Sequence, residues 1–291
     1  HRDLHSLRRR QRQMCIRDRI LRLSLKHIII YDVLGNHAQT LYMRSRRNPL
    51  KLLHYGLYLA LHKLQLKNSQ VIVYPSKIDE ANAKIMFGIK RTIVIPNPLP
   101  IHYESLEQYR RYRNARCNDE GVYFILLPGS KGKTNEELVK NVILTFNDIN
   151  PKLFKLFITG PWTDIKHLAK NTSIVFTGHL AHEKLKRILA LADVGLAPVF
   201  SHAAGTFMKT LAYLSAGLDI IASKYAIAGI DPVLLKNVKI FLINDWDKFK
   251  GTILNLINTY KTKKERKPLL HSLIESSLEN QIKSLWNEIN Q

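Results

Sequence analysis

The chain has 291 residues, 45% of them apolar, and a formal net charge of +22. That length holds two domains of ordinary size with sizeable cores, and the charge asks for a polyanionic neighbour: nucleic acid, an anionic lipid surface or phosphorylated substrates. Two scattered cysteines, Cys15 and Cys117, exclude a disulfide framework or a metal knuckle and fit a reducing cytoplasm; no apolar run reaches the roughly 18 residues of a membrane span or the core of a secretory signal.

Residues 1–19 carry seven arginines against Asp3 and Asp18 and match nothing downstream. They read either as a translated sequencing adapter, around Arg12 to Arg19, or as a basic arm that orders on binding. Lys26 to Val33 is a short apolar run ending near Asp32 and Gly35, a buried parallel strand with a loop at its carboxyl end. Pro49 to Leu66 has Leu and Tyr at helical spacing; packing on a sheet is the expected role, and a membrane surface is the alternative. Gln70 to Tyr74 is a strand, 77–87 a helix closed by Gly88, and Thr92 to Pro98 a strand halted by prolines. Residues 20–97 thus form a partial α/β unit.

The polar, basic segment 98–120 lacks an apolar period and reads as a linker. A second unit, 121–247, opens with the strand Val122 to Leu127, which runs into Pro128-Gly129-Ser130-Lys131-Gly132-Lys133-Thr134 and a helix over 135–147. Strands follow near 153–159, 173–177, 193–197, 218–223 and 238–243, with helices between, as in a complete doubly wound domain. Residues 248–291 close the chain as helices.

One stretch carries most of the chemistry. Gly205 to Gly217 joins a Gly-Thr start, an amphipathic helix and a Gly stop, then enters the strand Leu218 to Ser223. A helix starting there directs free N–H groups above the sheet, where an anion binds well; Lys209 stands one turn in. The loop 128–134 nearly spells a nucleotide-binding P-loop, but its first glycine position is Leu127 and no partnering acid follows. Asp245-Trp246-Asp247 has the D-x-D form of a metal site, yet it precedes a helix and is expected to cap it.

The Gly205–Gly217 stretch resembles the donor-binding segment of family 4 (group 1) glycosyltransferases, a Gly-rich loop, a Lys and a helix ending in Gly before a strand. VIVYPSKIDEANAKIMFGIKRTIVIPNPLP (71–100) and FTGHLAHEKLKRILALADVGLAPV (176–199) are similar to further segments of that family, in the right order. The resemblance implies a GT-B fold, two Rossmann-like doubly wound parallel-sheet domains facing a cleft, with the first incomplete and the closing helices bracing it. It implies transfer of a sugar from a nucleotide-diphosphate donor to the hydroxyl of a glycan or lipid-linked acceptor, with retention and without metal or other cofactor, at the inner face of a membrane. Nucleic acid is then not an expected partner.

By that resemblance Lys131, Lys133, Gly205, Thr206 and Lys209 hold the diphosphate, and Gly160, Thr177, Gly178 and His179 surround the base and ribose. Asp32 and His37 stand beside the reacting sugar, although the family's usual His position is Leu34. The family's paired carboxylates, spaced E-x7-E, are Ala204 and Ala212 here, with Glu80, Glu136, Glu137 and Glu183 as the nearby carboxylates. An inactive nucleotide- or partner-binding module and a nucleotide-sugar epimerase are the alternative readings.

Overall fold

The computed structural model describes residues 30–32, 49–69, 71–89, 92–116, 121–200 and 207–259. They form two parallel sheets. The smaller has the order β1-β2-β3, with β1 at Ile30–Asp32, β2 at Val71–Tyr74 and β3 at Thr92–Val94. Helix α1 (Pro49–Lys67) joins β1 to β2, and α2 (Lys77–Phe87) joins β2 to β3. The ends of α2 follow the sequence closely. Ser76 accepts from the Asp79 amide at 3.1 Å and donates to its carboxylate at 2.6 Å, and Gly88 ends the helix at φ +66°, its N–H bonded to Lys84 O.

The larger sheet has the order β6-β5-β4-β7-β8-β9, all parallel. Its strands are β4 (Val122–Leu126), β5 (Phe154–Thr159), β6 (Ile174–Gly178), β7 (Val194–Ala197), β8 (Asp219–Ser223) and β9 (Ile240–Ile243). Every residue of β4, β7 and β8 is buried, as expected of central strands covered on both faces. The strand order is that of a doubly wound dinucleotide-binding domain, with the reversal of winding between β4 and β7. In sheets of this kind ligands bind outside the carboxyl ends of the strands at such a reversal.

Residues 98–120 depart from the expected linker. They contain helix α3 (Leu106–Asn114), and Leu99, Ile101, Tyr103 and Tyr109 lie buried in the core of the larger sheet. Tyr103 donates to Lys186 O at 3.0 Å and Tyr109 to Ala216 O at 3.1 Å. Arg113 and Arg116 converge on the fully buried Asp193, each at 2.7 Å, and Arg113 also donates to Ala190 O and Ala192 O at the end of α5 (His182–Leu191). This segment has no apolar period because its buried groups are tyrosines with bonded hydroxyls and arginines that neutralise one aspartate. Helix α9 (Trp246–Thr259) also belongs to this core, through Phe249, Ile253 and Leu256; residues 260–291 lie outside the described residues. Among the described residues no helix is long and apolar enough to cross a membrane.

Helix α6 (Met208–Ser215) is seated on β7 by a contact between one glycine and one ring. A Cβ built on Gly195 would stand 2.3 Å from Cγ of Tyr213. The buried Tyr213 hydroxyl accepts from the Leu127 amide at 2.9 Å and donates to Leu196 O at 3.1 Å. Gly195→Ala is therefore expected to lower unfolding free energy by about 1–3 kcal/mol or more through overpacking, and Tyr213→Phe by about 1–3 kcal/mol by stranding two backbone groups, both read by urea denaturation. Asp193→Ala, which leaves two largely buried guanidiniums without their counter-charge, is expected to cost about 3–5 kcal/mol in the same assay.

Candidate functional site

The candidate site lies at the carboxyl ends of β4 and β7, where the winding reverses. Tyr213 ties α6 to the carboxyl ends of both strands, and Lys209 stands one turn, about 5.4 Å, nearer the helix start. Phe207 precedes α6 and offers no side-chain cap, and the Lys209 ammonium lies 5.6 Å from the centre of its ring. Gly205 and Thr206, expected to open the helix, lie outside the described residues.

Lys209 is an unusual lysine. Burial alone pushes its pKa down from 10.5 to about 8, and among the described residues no carboxylate pairs with it. Desolvation without a counter-ion penalises the charged form, and a neighbouring anion would offset that penalty. Helix N-termini favour the same ligand sign through their free N–H groups and dipole.

The β4 loop lies on the other side of the crevice. Lys131 is exposed and bonded to Asp164 at 2.9 Å, and its hydrogen bond holds that carboxyl below its usual range. Such an exposed pair is worth little and exchanges readily for a ligand phosphate. Lys133, also exposed, is the first residue of α4 (Lys133–Asn147). Lys131, in the loop after β4, Lys133, at the start of α4, and Lys209, in α6, thus follow the two strands that flank one winding reversal, and only Lys209 of the three is largely buried.

Gly160 and Gly178 end β5 and β6 at φ +94° and +68°, and the Gly160 amide donates to Gly178 O at 2.8 Å. Both conformations favour glycine. Beside Gly160 lies Trp162, which sequence reading missed: it is buried, and among the described residues its indole N–H has no hydrogen-bond partner. Thr177 spends its hydroxyl on Gly178 O at 3.1 Å, and His179 is exposed. Asp32 is the last residue of β1, at the carboxyl edge of the smaller sheet; His37 lies outside the described residues.

Of the carboxylates that might replace the absent pair, three are held elsewhere. Glu80 feels burial that would raise its pKa, yet bonds from Lys84 and Thr92 hold it below the usual value. Glu136 pairs with Lys140 at 2.6 Å. Glu183 is held low by Lys186, with Tyr112 also bonded to it. Glu137 is exposed on α4. Ala204 is outside the described residues, and Ala212 is buried in the core. Asp245 does cap its helix, accepting from the Lys248 amide at 2.7 Å.

Residues 125–259 match the family model described as Glycosyl transferases group 1. Over these residues the chain is similar to group 1 glycosyl transferases. No curated protein matches the chain. Among solved structures, the sucrose-phosphate synthase of Thermosynechococcus elongatus is similar at a TM-score of 0.64 and 14% identity, over 92% of this chain and 69% of that one. WaaG, a glycosyltransferase involved in lipopolysaccharide biosynthesis, is similar at 0.61 and 14%, over 91% and 80%. Anabaena HepE in complex with UDP and glucose is similar at 0.55 and 13%, over 88% and 68%. The fold is accordingly GT-B, and the parallel sheets are those expected of its two Rossmann-like units.

Lys209 carries a stability prediction with a definite sign. Its folded pKa lies below the unfolded value, so the penalty is fully present below pH 8 and is relieved as pH rises from 8 to 10.5. Lys209→Met is expected to be more stable than the parent at pH 7 by on the order of 2–3 kcal/mol, with the gap closing toward pH 10.5 in thermal or urea unfolding. A gap that stays constant with pH would show that Lys209 is solvated.

Proposed function

We propose that this chain transfers a hexosyl group from a nucleoside-diphosphate sugar to an acceptor hydroxyl, with retention at the sugar carbon and without a metal. The observation that carries this reading is Lys209, a desolvated cation at the start of α6 beside the β4–β7 winding reversal. As the bond from the sugar carbon to the diphosphate oxygen breaks, that oxygen gains charge; a fixed cation and helix N–H groups stabilise it more in the transition state than before. Lys131 and Lys133 contribute from the β4 loop, Gly205 and Thr206 from the start of the helix. The backbone at Gly160, Thr177, Gly178 and His179 borders the base and ribose. UDP and glucose in HepE are a ligand pair of the same chemistry.

Asp32 and His37 are assigned to the side of the reacting sugar, with Asp32 at the carboxyl edge of β1 supporting that placement. A glycan or lipid-linked hydroxyl is the acceptor. One observation favours a second reading, in which the chain binds nucleotide without transfer: Ala212 is buried where the resembling family carries a carboxylate. The two readings share the diphosphate site and differ in whether sugar leaves the donor.

Calorimetric titration with UDP and GDP tests the shared part. Lys209→Ala is expected to weaken UDP binding about tenfold to a hundredfold, the value of a charge-assisted hydrogen bond of about 1.5–3 kcal/mol. In the parent chain, affinity is level below pH 8 and falls by up to about tenfold per pH unit above it, because the free amine deprotonates there and the ligand binds its charged form. Lys209→Arg keeps the affinity and loses the slope. UDP affinity unchanged in Lys209→Ala would overturn the assignment. UDP binding without release of UDP from UDP- or GDP-sugars in the presence of acceptor would select the second reading.

A further inference from the structure

Trp162 follows β5 in the turn Gly160-Pro161-Trp162, and it is 2% exposed. The turn is fixed from within. The Trp162 amide donates to Gly160 O at 2.9 Å, and Trp162 O accepts from the amide of the buried Ile165 at 3.3 Å. Asp164, two residues on, holds Lys131 of the loop after β4. A ring packed this way keeps its polar edge in one place, yet among the described residues the Nε1–H on that edge has no hydrogen-bond partner. Native proteins pair most buried donors, because an unpaired one has lost its water without replacement. At the carboxyl end of a strand next to a winding reversal, such a donor is suited to an acceptor on a ligand.

The surroundings of Nε1 narrow the choice of ligand. A Cβ built on Gly160 would stand 3.3 Å from Nε1, 3.4 Å from Cδ1 and 3.5 Å from Gly129 O. A donor and an acceptor thus converge on one point that carries no side chain. Both glycines bordering it have positive φ, +88° at Gly129 and +94° at Gly160. Gly129 is exposed and Gly160 half-buried, so an incoming group meets bare backbone there. One donor beside one acceptor complements a base edge that has a carbonyl next to a ring N–H. Uracil, with O4 and N3–H, and guanine, with O6 and N1–H, present that edge. Cytosine and adenine place an amino group and a bare ring nitrogen there instead, so donor would face donor and acceptor would face acceptor. A phosphate has acceptors alone and would oppose Gly129 O with charge of the same sign.

We propose that Trp162 selects the nucleobase, its Nε1–H donating to the carbonyl of uracil or guanine while Gly129 O accepts from the neighbouring ring N–H. The inference deepens the proposed function and rests on it, since the loops after β5 and β6 are assigned there to the base and ribose. It adds a side chain that discriminates between bases, whereas the glycines only make room for one. Discrimination follows because the wrong base leaves a buried N–H unpaired.

Calorimetric titration of the full chain with UDP, CDP, GDP and ADP tests it. The parent is expected to bind the better of UDP and GDP at least about tenfold more tightly than its amino counterpart, CDP for UDP or ADP for GDP. Trp162→Phe keeps a ring and removes the N–H, and is expected to lower that ratio at least about fivefold. Both members of a pair titrate the same folded molecules, so the ratio holds its meaning even if the variant melts at a lower temperature. Lys209→Ala weakens both members alike and leaves the ratio as in the parent, because it acts on the diphosphate. A ratio near one in the parent would overturn the proposal. So would an equal loss for both members in Trp162→Phe, which places the N–H against the phosphates or in the packing alone. No nucleotide binding by the parent would overturn this proposal together with the diphosphate site, whereas binding that is weakened by Lys209→Ala but shows no base preference would overturn the base selection alone.

Discussion

The donor side of this molecule depends on Gly195 lacking a side chain. Tyr213 packs its ring where the Cβ of residue 195 would stand, and this brings α6 directly onto β7. The buried phenol then links the amide after β4 to a carbonyl of β7. Burial drives the hydroxyl's pKa upward, so it stays protonated and can both donate and accept. Two strands, one helix and the loop after β4 are fixed by a single residue, and Lys209 inherits its position from them. Under the proposed function this rigidity matters, because N–H groups at a helix start must be held closely in place to meet a diphosphate.

A second clamp holds the outer layer. Asp193 receives two arginines and the Tyr123 amide, and Arg113 reaches on to the final carbonyls of α5. The charged group is fully enclosed and has several donors, the condition under which a buried carboxylate is tolerated. Through Tyr109 the same segment reaches Ala216 at the end of α6. The helix bearing Lys209 is therefore supported at its far end by α3 and along its length by β7.

Against this supported frame, Lys209 stands out by bearing a penalty. Elsewhere among the described residues the partly buried charges have partners, as with Arg113, Arg116 and Lys186. Lys209 is desolvated for no structural return, and sites that bind ligands hold such groups. The absent carboxylates have the opposite implication. Ala212 is packed into the core, so under the proposed function the ribose is met by the backbone near β5 and β6 or by residues elsewhere. Diphosphate recognition and sugar transfer are thus separable properties of this fold.

Sequence by itself determined the elements and their alternation, because buried parallel strands such as Val71–Tyr74 and Val122–Leu126 are continuous apolar runs bounded by Pro and Gly. It also gave the ends of α2, whose Ser76 and Gly88 act locally, and it singled out Lys209 and the glycines closing β5 and β6. Only tertiary structure decided that 98–116 is core, since tyrosine and arginine look polar until their partners, distant in the chain, are known. Only tertiary structure showed that α1 presents exposed leucines among the described residues, because a helical period does not say how many neighbours a helix has. The same holds for the pairing of Gly195 with Tyr213 and for the desolvation of Lys209. Strand order sets which loops share a crevice, and strand order comes from contacts that no local stretch of sequence records.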